Sequence, residues 1–321
     1  MVSIDVNENE LYKKYPRVLD LLLFDNTTRK NIIWATDSYS RRGYRFNDSI
    51  IPYNIIKTKI ITPRSKKSKA EQNRRSKDNG EVFTPSWMCN IQNNQVDEAW
   101  FGRKVVFNIE RSNSWEIVDD KIEMPAGKTW IDYIKDVRLE ISCGEAPYVV
   151  SRYDTVTGEY LMPKNRIGFL DRKFRILKEN YSSKEEWIKY SLEALKATYA
   201  FEWQGDNLIL ARENILFSYI DYYKEEFNEE PSEELLIEVA TIISWNIWQM
   251  DGIKGVIPNS CNVKKVEIVN LFGDVEEVES GCDGCCKGNI RLHNGINCKI
   301  MDWQKNKKIY FKDIFTGGLI I

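Results

Sequence analysis

The chain has 321 residues, of which 42% are hydrophobic and 29% are charged. This composition is typical of a folded protein with one large or two modest domains, and it excludes a disordered chain. The net charge is only −2, so no global positive field draws the protein onto nucleic acid. Because we find neither a secretory signal pattern nor an apolar run long enough for a membrane span, we expect a cytoplasmic protein without a membrane partner.

The first 80 residues divide into two segments of different composition. Residues 1–61 form a lead segment with short strand-like runs, and residues 62–80 form a basic linker or clamp. Between positions 64 and 77, seven cations accompany a single acid, and such a run can neutralise several phosphates. A solvated, mobile connector is the alternative interpretation. The residues predicted to contact a DNA backbone are Arg64, Lys66, Lys67, Lys69, Arg74 and Arg75.

Residues 81–258 alternate strand-like and helix-like patterns, which predicts an α/β domain. The expected architecture is a Rossmann-like, mostly parallel sheet with helical crossovers. The run 137–141 (VRLEI) alternates with a period of two and predicts a buried strand of that sheet. Open α/β sheets bind ligands at the carboxyl ends of their strands, so the turn after this run is a favourable position for a site.

The predicted helices of this domain have recognisable first turns. Ser183 and Glu186 have the spacing of a capping box, and an apolar stripe at helical spacing follows them. A second helix is predicted after Asp206. A third begins at Ser232, where the two following glutamates complement the helix dipole. These apolar stripes are assigned to the core.

Four segments of this domain occur in an order that is known from one enzyme family. They are 80–85 (GEVFTP), 139–147 (LEISCGEAP), 198–202 (TYAFE) and 246–251 (NIWQMD). In this order they resemble the substrate-binding motif, glycine-rich loop, second strand and third strand of the adenine-N6 DNA methyltransferases of restriction systems. The third and fourth segments overlap or border predicted helices. At these places either the helix or the strand implied by the resemblance must be wrong.

This resemblance implies a pocket for S-adenosylmethionine. Glu202 would accept hydrogen bonds from the ribose hydroxyls, and Asp251 would contact the adenine ring. Ala146 stands where the family usually has a second glycine, and it is expected to narrow the ligand's approach. The family's catalytic Asn/Asp-Pro-Pro-Tyr/Phe tetrapeptide does not occur in the chain. The predicted ligand or base pocket comprises Phe83, Thr84, Pro85, Cys143, Gly144, Arg152, Tyr153, Glu202 and Asp251.

The same loop has a second resemblance. Residues 144–148 (GEAPY) are similar to the first active-site motif of the uracil-DNA glycosylase superfamily, and 166–171 (RIGFLD) is similar to a later stretch of its iron–sulfur branch. The superfamily's histidine motif is absent. This resemblance implies excision of an extruded base, for which the candidate catalytic residues are Glu145, Asp154 and Tyr148. The alternative is that both carboxylates bind local backbone N–H groups.

Cysteine and histidine cluster in a predicted C-terminal module, residues 259–321. Three thiols and one imidazole are donors that tetrahedral zinc prefers, and the pattern predicts a structural zinc site. The predicted ligands are Cys282, Cys285, His293 and Cys298. Cys286 could take the place of Cys285. Unliganded surface cysteines are the alternative.

Three functional hypotheses follow from these patterns. The first is a DNA glycosylase of phage defence that excises a modified base, such as a hypermodified cytosine, and leaves an abasic site. The second is a methyltransferase subunit of a restriction system, which requires S-adenosylmethionine. The third is a non-catalytic DNA-binding subunit. The expected partners are double-stranded DNA, including modified phage DNA, and other restriction-system subunits.

Overall fold

The structure is a computed structural model that describes residues 8–269 and 275–317. Its first part combines short helices with two antiparallel hairpins. The helices are α1 (Glu8–Lys14), α2 (Pro16–Leu23), α3 (Pro52–Thr58), α4 (Lys69–Asn79) and α5 (Ser86–Phe101). The hairpins are β1 (Phe24–Asp25) with β2 (Lys30–Asn31), and β3 (Asn108–Arg111) with β4 (Ser114–Ile117).

A three-stranded parallel sheet lies at the centre of the chain. Its strands are β5 (Arg138–Glu140), β6 (Thr198–Glu202) and β7 (Ile247–Gln249), in that spatial order. The helices around it are α6 (Trp130–Ile134), α7 (Phe169–Lys178), α8 (Lys184–Lys196), α9 (Gly205–Phe227) and α10 (Glu233–Asn246). The mixed α/β class and the helical crossovers are therefore confirmed. The other described strands form antiparallel pairs, so the parallel sheet is smaller than predicted.

Side-chain caps confirm two of the three predicted helix starts, whereas α9 begins at Gly205, one residue before Asp206, without a side-chain cap. The Ser183 hydroxyl accepts a hydrogen bond from the Glu186 N–H at 3.2 Å, and Ser232 caps α10 in the same way. Where strand and helix interpretations competed, the strand prevails at 198–202 and 247–249. The chain changes from helix to strand within one or two residues at both places, which explains why the two patterns overlapped in the sequence.

Strand β5 has the opposite orientation to the one predicted. Val137, Leu139 and Ile141 are exposed, whereas Arg138 and Glu140 point into the protein. The reversal has a physical cause, because the guanidinium of Arg138 forms buried ion pairs and Glu140 accepts a backbone hydrogen bond. A buried charge that has partners costs far less than an unpaired one, so these polar side chains occupy the core.

The lead segment packs into the same core as the sheet. Helix α2 packs against α10, and the buried guanidinium of Arg212 in α9 donates to the carbonyl oxygens of Leu22 and Phe24. The Gly205 N–H at the start of α9 donates to the Trp34 carbonyl at 2.9 Å. The lead segment is thereby held beside the carboxyl end of β6.

The C-terminal part contains two more hairpins around a short helix. Its elements are β8 (Lys264–Val269), β9 (Val275–Ser280), α11 (Asp283–Lys287), β10 (Lys299–Asp302) and β11 (Lys307–Tyr310). A small apolar cluster that includes Phe201, Trp248 and Phe311 joins this part to the sheet. None of the described helices combines the length and apolar character that a membrane span needs.

Candidate functional site

A cavity of about 650 Å³ opens at the carboxyl ends of β5 and β6. Ser142 and Gly144 follow β5, and Glu202 ends β6, so parallel strands bring these residues to one edge. The lead segment and the chain around the end of α4 form the remaining walls. The described residues of those walls include Ala35, Thr36, Asp37, Ser38, Phe46, Arg74, Asp78, Asn79, Glu81 and Phe83.

The carboxylate of Glu202 joins the two strand ends. It accepts a hydrogen bond from the Gly144 N–H at 2.8 Å and another from the Gln204 N–H at 3.1 Å. Burial raises the pKa of Glu202 to about 7, and these backbone hydrogen bonds act in the opposite direction. The group is therefore close to half ionised at neutral pH, and each oxygen keeps a lone pair that a ligand hydroxyl can use.

The turn after β5 adopts an unusual backbone conformation. Ser142, Gly144 and Ala146 all have positive φ, between 50° and 62°, a region that residues other than glycine rarely adopt. The ring of Phe83 lies 3.5 Å from where a Cβ on Gly144 would stand, so the turn is packed against the cavity wall. Ala146 is fully buried in the core and does not line the cavity. The expectation that it narrows a ligand's approach is therefore wrong.

The cavity wall offers hydrogen-bond acceptors. The carboxylates of the described wall belong to Asp37, Asp78, Glu81 and Glu202, and its cation is Arg74. In the part of the chain that the structure describes, neither Oδ1 of Asn207 nor Oε1 of Glu81 has a hydrogen-bond donor, although both residues are buried. A buried acceptor without a partner carries a desolvation cost that a ligand donor would remove.

A buried ion cluster supports one side of the cavity. The Arg75 guanidinium pairs with Glu81 at 2.6 Å and with Asp206 at 2.7 Å. The Tyr39 hydroxyl donates to Asp206 at 2.7 Å, which connects the lead segment to the same cluster. Burial acts to raise the pKa of Asp206, but the attraction of Arg75 and Lys67 and the hydrogen bonds from Tyr39 and Arg75 together hold this pKa below its ordinary value. The cluster thus ties α4, α9 and the lead segment together.

The predicted catalytic acid Glu145 points away from this cavity. The residue is 1% exposed, and its carboxylate accepts hydrogen bonds at 2.6 Å from the Arg64 N–H and from the Tyr153 hydroxyl. Burial raises the pKa of Glu145 above its ordinary value. The carboxylate fastens the basic run to the turn after β5, which matches the local role considered as the alternative.

Asp154 is also engaged by local backbone. Its carboxylate accepts N–H hydrogen bonds from Ser86 at 2.7 Å, Val156 at 2.9 Å and Thr157 at 2.8 Å. Burial acts to raise the pKa of Asp154, but these hydrogen bonds outweigh it and lower the pKa. Tyr148 lines a different groove, which runs along β5 and has a volume of about 510 Å³. The three predicted catalytic residues therefore do not meet in one cavity.

The predicted pocket residues are divided between the cavity and its surroundings. Phe83, Gly144 and Glu202 line the cavity. Arg152 pairs with Asp221, and the Asp251 carboxylate accepts N–H groups from the turn that follows it. The residues that lie outside the described wall are Thr84, Pro85, Cys143, Arg152, Tyr153 and Asp251. The sequence interpretation did not place Glu81, Gln204 and Asn207 in the cavity wall. No motif in the sequence marks these positions, because they meet only when the chain folds.

Two of the predicted DNA-contacting cations are buried and paired. Arg75 is held in the ion cluster, and the Lys67 ammonium donates to the Thr62 carbonyl at 2.5 Å. Neither can reach a phosphate, so these two assignments are wrong. Lys66, Lys69 and Arg74 are exposed, and Arg64 is half-buried over the ring of Phe83. The basic run itself forms α4 and its approach.

Cys261, Cys282, Cys285 and His293 lie close together and could hold a metal ion. Their donor atoms all lie within 4.8 Å of one another, and the three Sγ atoms are 3.5–3.6 Å from Nδ1 of His293. Zn–S bonds of about 2.3 Å and Zn–N bonds of about 2.1 Å in a tetrahedron separate sulfur and nitrogen by about 3.6 Å. The donor set therefore fits zinc in both chemistry and spacing.

This cluster corrects one predicted ligand. Cys298 is fully buried in the apolar cluster at β7, with its Sγ near the Gln249 carbonyl, and it does not face the other donors. Cys261 takes its place because the β8–β9 hairpin brings residues 261 and 282 to its base. The antiparallel register decides this pairing, whereas close spacing in the sequence favoured Cys298. Of the adjacent pair, Cys285 belongs to the cluster and Cys286 does not.

Backbone contacts shape the cluster around His293. A Cβ on Gly284 would lie 2.5 Å from the backbone nitrogen of His293 and 2.6 Å from Cγ of its ring, so only glycine fits there. The Asn294 N–H donates to Sγ of Cys282 at 3.2 Å. Burial acts to raise the pKa of Cys282, but hydrogen bonds from Asn294, Cys285, His293 and Gly284 together lower it to about 6. The thiolate form that binds metals is thus accessible at neutral pH.

Comparison with family models, with curated proteins and with solved structures finds no match to this chain. The functional proposal therefore rests on the geometry of the cavity and of the cysteine–histidine cluster.

Proposed function

We propose that this chain acts on DNA bases and binds S-adenosylmethionine in the cavity at the carboxyl ends of β5 and β6. The observation that carries the proposal is the position of Glu202. A carboxylate at the end of the second parallel strand, beside the turn that follows the first, is where Rossmann-like sheets hold a ribose. The three strands would then form part of a Rossmann-like sheet.

The polarity of the cavity favours this ligand over a phosphorylated nucleotide. Carboxylates and amide oxygens dominate the described wall, and Arg74 is its cation. Such a wall repels phosphates and suits a ligand that carries hydroxyls, amines and positive charge. S-adenosylmethionine has a ribose diol, an amine on the adenine, an ammonium and a sulfonium. When bound, it supplies a methyl group for transfer to an amine of a base.

Aromatic side chains provide a surface for the planar base of a ligand. Trp203 and Phe46 line the cavity with ring centroids 6.4 Å apart, and the Trp203 N–H donates to the Ala35 carbonyl. A ring held at its edge by a hydrogen bond keeps its face free for stacking, which contributes about 1–3 kcal/mol per base in nucleic-acid complexes.

We further propose that zinc occupies the cysteine–histidine cluster in a structural role. Four protein donors complete a tetrahedron and leave no open position for catalysis. The cluster lies at the base of the β8–β9 hairpin, so the ion would hold the two ends of that hairpin together.

Isothermal titration calorimetry with S-adenosylmethionine, S-adenosylhomocysteine and ATP tests the ligand. We expect saturable binding of the first two and none of ATP. Asn207→Leu replaces an unpartnered acceptor by an apolar group of similar size and should weaken binding about tenfold, the cost of one lost hydrogen bond. The exposed Glu238→Gln serves as a control. ATP binding with no response to S-adenosylmethionine would refute the proposal.

Base excision stays a prediction and is distinguished by its product. Modified and unmodified duplex DNA are incubated with the protein, with and without S-adenosylmethionine, and assayed for methyl incorporation and for alkali-labile sites. The proposal expects methyl incorporation that depends on the cofactor. Alkali-labile sites without cofactor would instead support a glycosylase, which would then use a cavity carboxylate other than Glu145 or Asp154.

A further inference from the structure

One loop of the lead segment forms part of the cavity and extends beyond it. The Ala35 N–H donates to the Phe46 carbonyl at 2.8 Å, and the Trp34 N–H donates to the Asp48 carbonyl at 3.0 Å. These bonds close the loop 36–45 at its base. Both Ala35 and Phe46 line the cavity, so the loop begins and ends at the cavity wall.

The tip of this loop carries Arg41, Arg42 and Arg45, and all three are exposed. No ion pair joins them to an acid within residues 8–269 and 275–317. The loop is nevertheless anchored, because the Tyr39 ring packs 4.7 Å from that of Trp34 and its hydroxyl donates to Asp206. The three guanidinium groups therefore project from a fixed base.

Helix α4 presents cations on the other side of the cavity. Arg74 lines the cavity, and Lys69 and Lys77 lie on the exposed surface of the same helix. The helix is anchored at the same point as the loop, because Arg75 pairs with Asp206. At its end, Nδ2 of Asn79 donates to Ser38 at 3.4 Å and to Gln204 at 3.1 Å.

The two elements make a local positive surface on a chain whose net charge is −2. The loop and α4 contribute six exposed cations, and the acids among the same residues are Asp37, Glu71 and Asp78. The cavity between them is lined by acceptors. A positive rim around a cavity lined by acceptors suits a polyanion that inserts one neutral group carrying hydrogen-bond donors. Duplex DNA with one extruded base has this form, because its phosphates are anionic and the base is neutral.

We propose that Arg41, Arg42 and Arg45, together with Lys69, Arg74 and Lys77, bind the phosphates of duplex DNA on the two sides of the cavity. This inference rests on the proposed action on DNA bases, and it adds a loop for which the basic run of the sequence gives no indication. The phosphate contacts position the duplex so that an extruded base faces the cavity.

The test measures binding of a fluorescein-labelled duplex DNA by anisotropy over a range of salt concentrations. The triple variant Arg41→Gln, Arg42→Gln, Arg45→Gln should reduce the slope of log affinity against log salt by about 3, since each phosphate contact contributes about 0.9. Its affinity at low salt should fall at least about tenfold. The control variant Lys104→Gln, Lys121→Gln, Lys189→Gln removes three exposed charges away from the cavity and should leave both quantities unchanged.

The possible outcomes are distinguishable from those of the ligand test. Equal salt slopes for the wild type and the arginine variant would overturn the proposed phosphate contacts of the loop, whether or not S-adenosylmethionine binds. A reduced slope in a protein that does not bind S-adenosylmethionine would support the phosphate contacts of the loop and reject the proposed cofactor. Tighter binding of duplex RNA or of an acidic polypeptide than of DNA would overturn DNA as the partner. Circular dichroism melting confirms that each variant is folded.

Discussion

The Gly144 N–H donates to Oε2 of Glu202 across 2.8 Å, and this hydrogen bond joins the ends of two adjacent parallel strands. The turn after β5 and the acid at the end of β6 are therefore one unit. A change in the charge of Glu202 therefore alters the strength of this hydrogen bond as well as the polarity of the cavity.

The first prediction concerns the pH dependence of ligand binding. Burial raises the pKa of Glu202 to about 7, and the carboxylate must be ionised to accept two ribose hydroxyls. The affinity for S-adenosylmethionine should therefore fall about tenfold for each pH unit below 7 and level off above it. Calorimetry from about pH 5.5 to about pH 8.5, a range that brackets the pKa of Glu202, measures this. Affinity that is independent of pH would contradict the role of Glu202.

The same raised pKa predicts how stability changes with pH. The folded state holds the proton of Glu202 more tightly than the unfolded chain, so this group lowers the free energy of unfolding as pH rises from 4.5 to about 7. The expected contribution is about 3 kcal/mol. Urea unfolding of the wild type and of Glu202→Gln across this pH range measures the contribution of Glu202, because the variant lacks the titrating carboxyl. A variant with the same pH profile as the wild type would show that another group is responsible.

The second prediction separates structural from catalytic roles at the turn. Glu145→Ala leaves the Arg64 N–H and the Tyr153 hydroxyl without their acceptor, and should lower the free energy of unfolding by about 3 kcal/mol. Glu159→Ala, an exposed change in the following loop, is the matched control and should have little effect. Urea denaturation gives both values. Unchanged stability together with lost base excision would restore Glu145 as a catalytic residue.

Asp154→Ala provides an independent check of the same conclusion. The change removes the acceptor of three backbone N–H groups and should cost about 2 kcal/mol of stability. Ligand affinity in the folded variant should match the wild type, because the Asp154 carboxylate does not line the cavity. Calorimetry below the melting transition is the measurement, and a selective loss of affinity would count against this interpretation.

The third prediction concerns the metal ligands. Cys261→Ser should release zinc, whereas Cys298→Ser should retain it, because Cys298 lies in the apolar cluster at β7. Cys286→Ser is the matched control and should also retain the ion. Inductively coupled plasma mass spectrometry of the purified variants gives the stoichiometry. Zinc retained by Cys261→Ser but lost from Cys298→Ser would restore the ligand set expected from the sequence.

The fourth prediction tests the fit around His293. Gly284→Ala places a methyl group 2.5 Å from the backbone nitrogen of His293 and 2.6 Å from Cγ of its imidazole, so the backbone and the ring must both move. We expect metal affinity to fall about 10–100-fold, as for other changes that disturb the orientation of a ligand. Gly281→Ala is the control, since its Cβ meets only the end of the Cys286 side chain, at 3.1 Å. Competition with a chelating dye measures both, and equal affinities would contradict the close fit.

Local patterns in the sequence predicted local structure well. Ser183 and Ser232 cap helices as expected, because a cap depends on residues within one turn. The segments that end at Glu202 and Gln249 form strands β6 and β7, which pair with β5 in one parallel sheet. The orientation of β5 was not predictable, because the partners of Arg138 include Asp97, which lies far away in the sequence.

By itself, the sequence determined the mixed α/β class, two of the helix starts and three of the four members of the cysteine–histidine cluster, since these depend on neighbouring residues and on residue type. Only the tertiary structure decided that Cys261 completes the cluster, that Glu145 and Asp154 bind backbone, and that Asn207 and Glu81 face the cavity. The physical reason is that burial and hydrogen-bond partners come from residues distant in the chain, and the same carboxylate is a catalyst or a structural anchor according to which of them it meets.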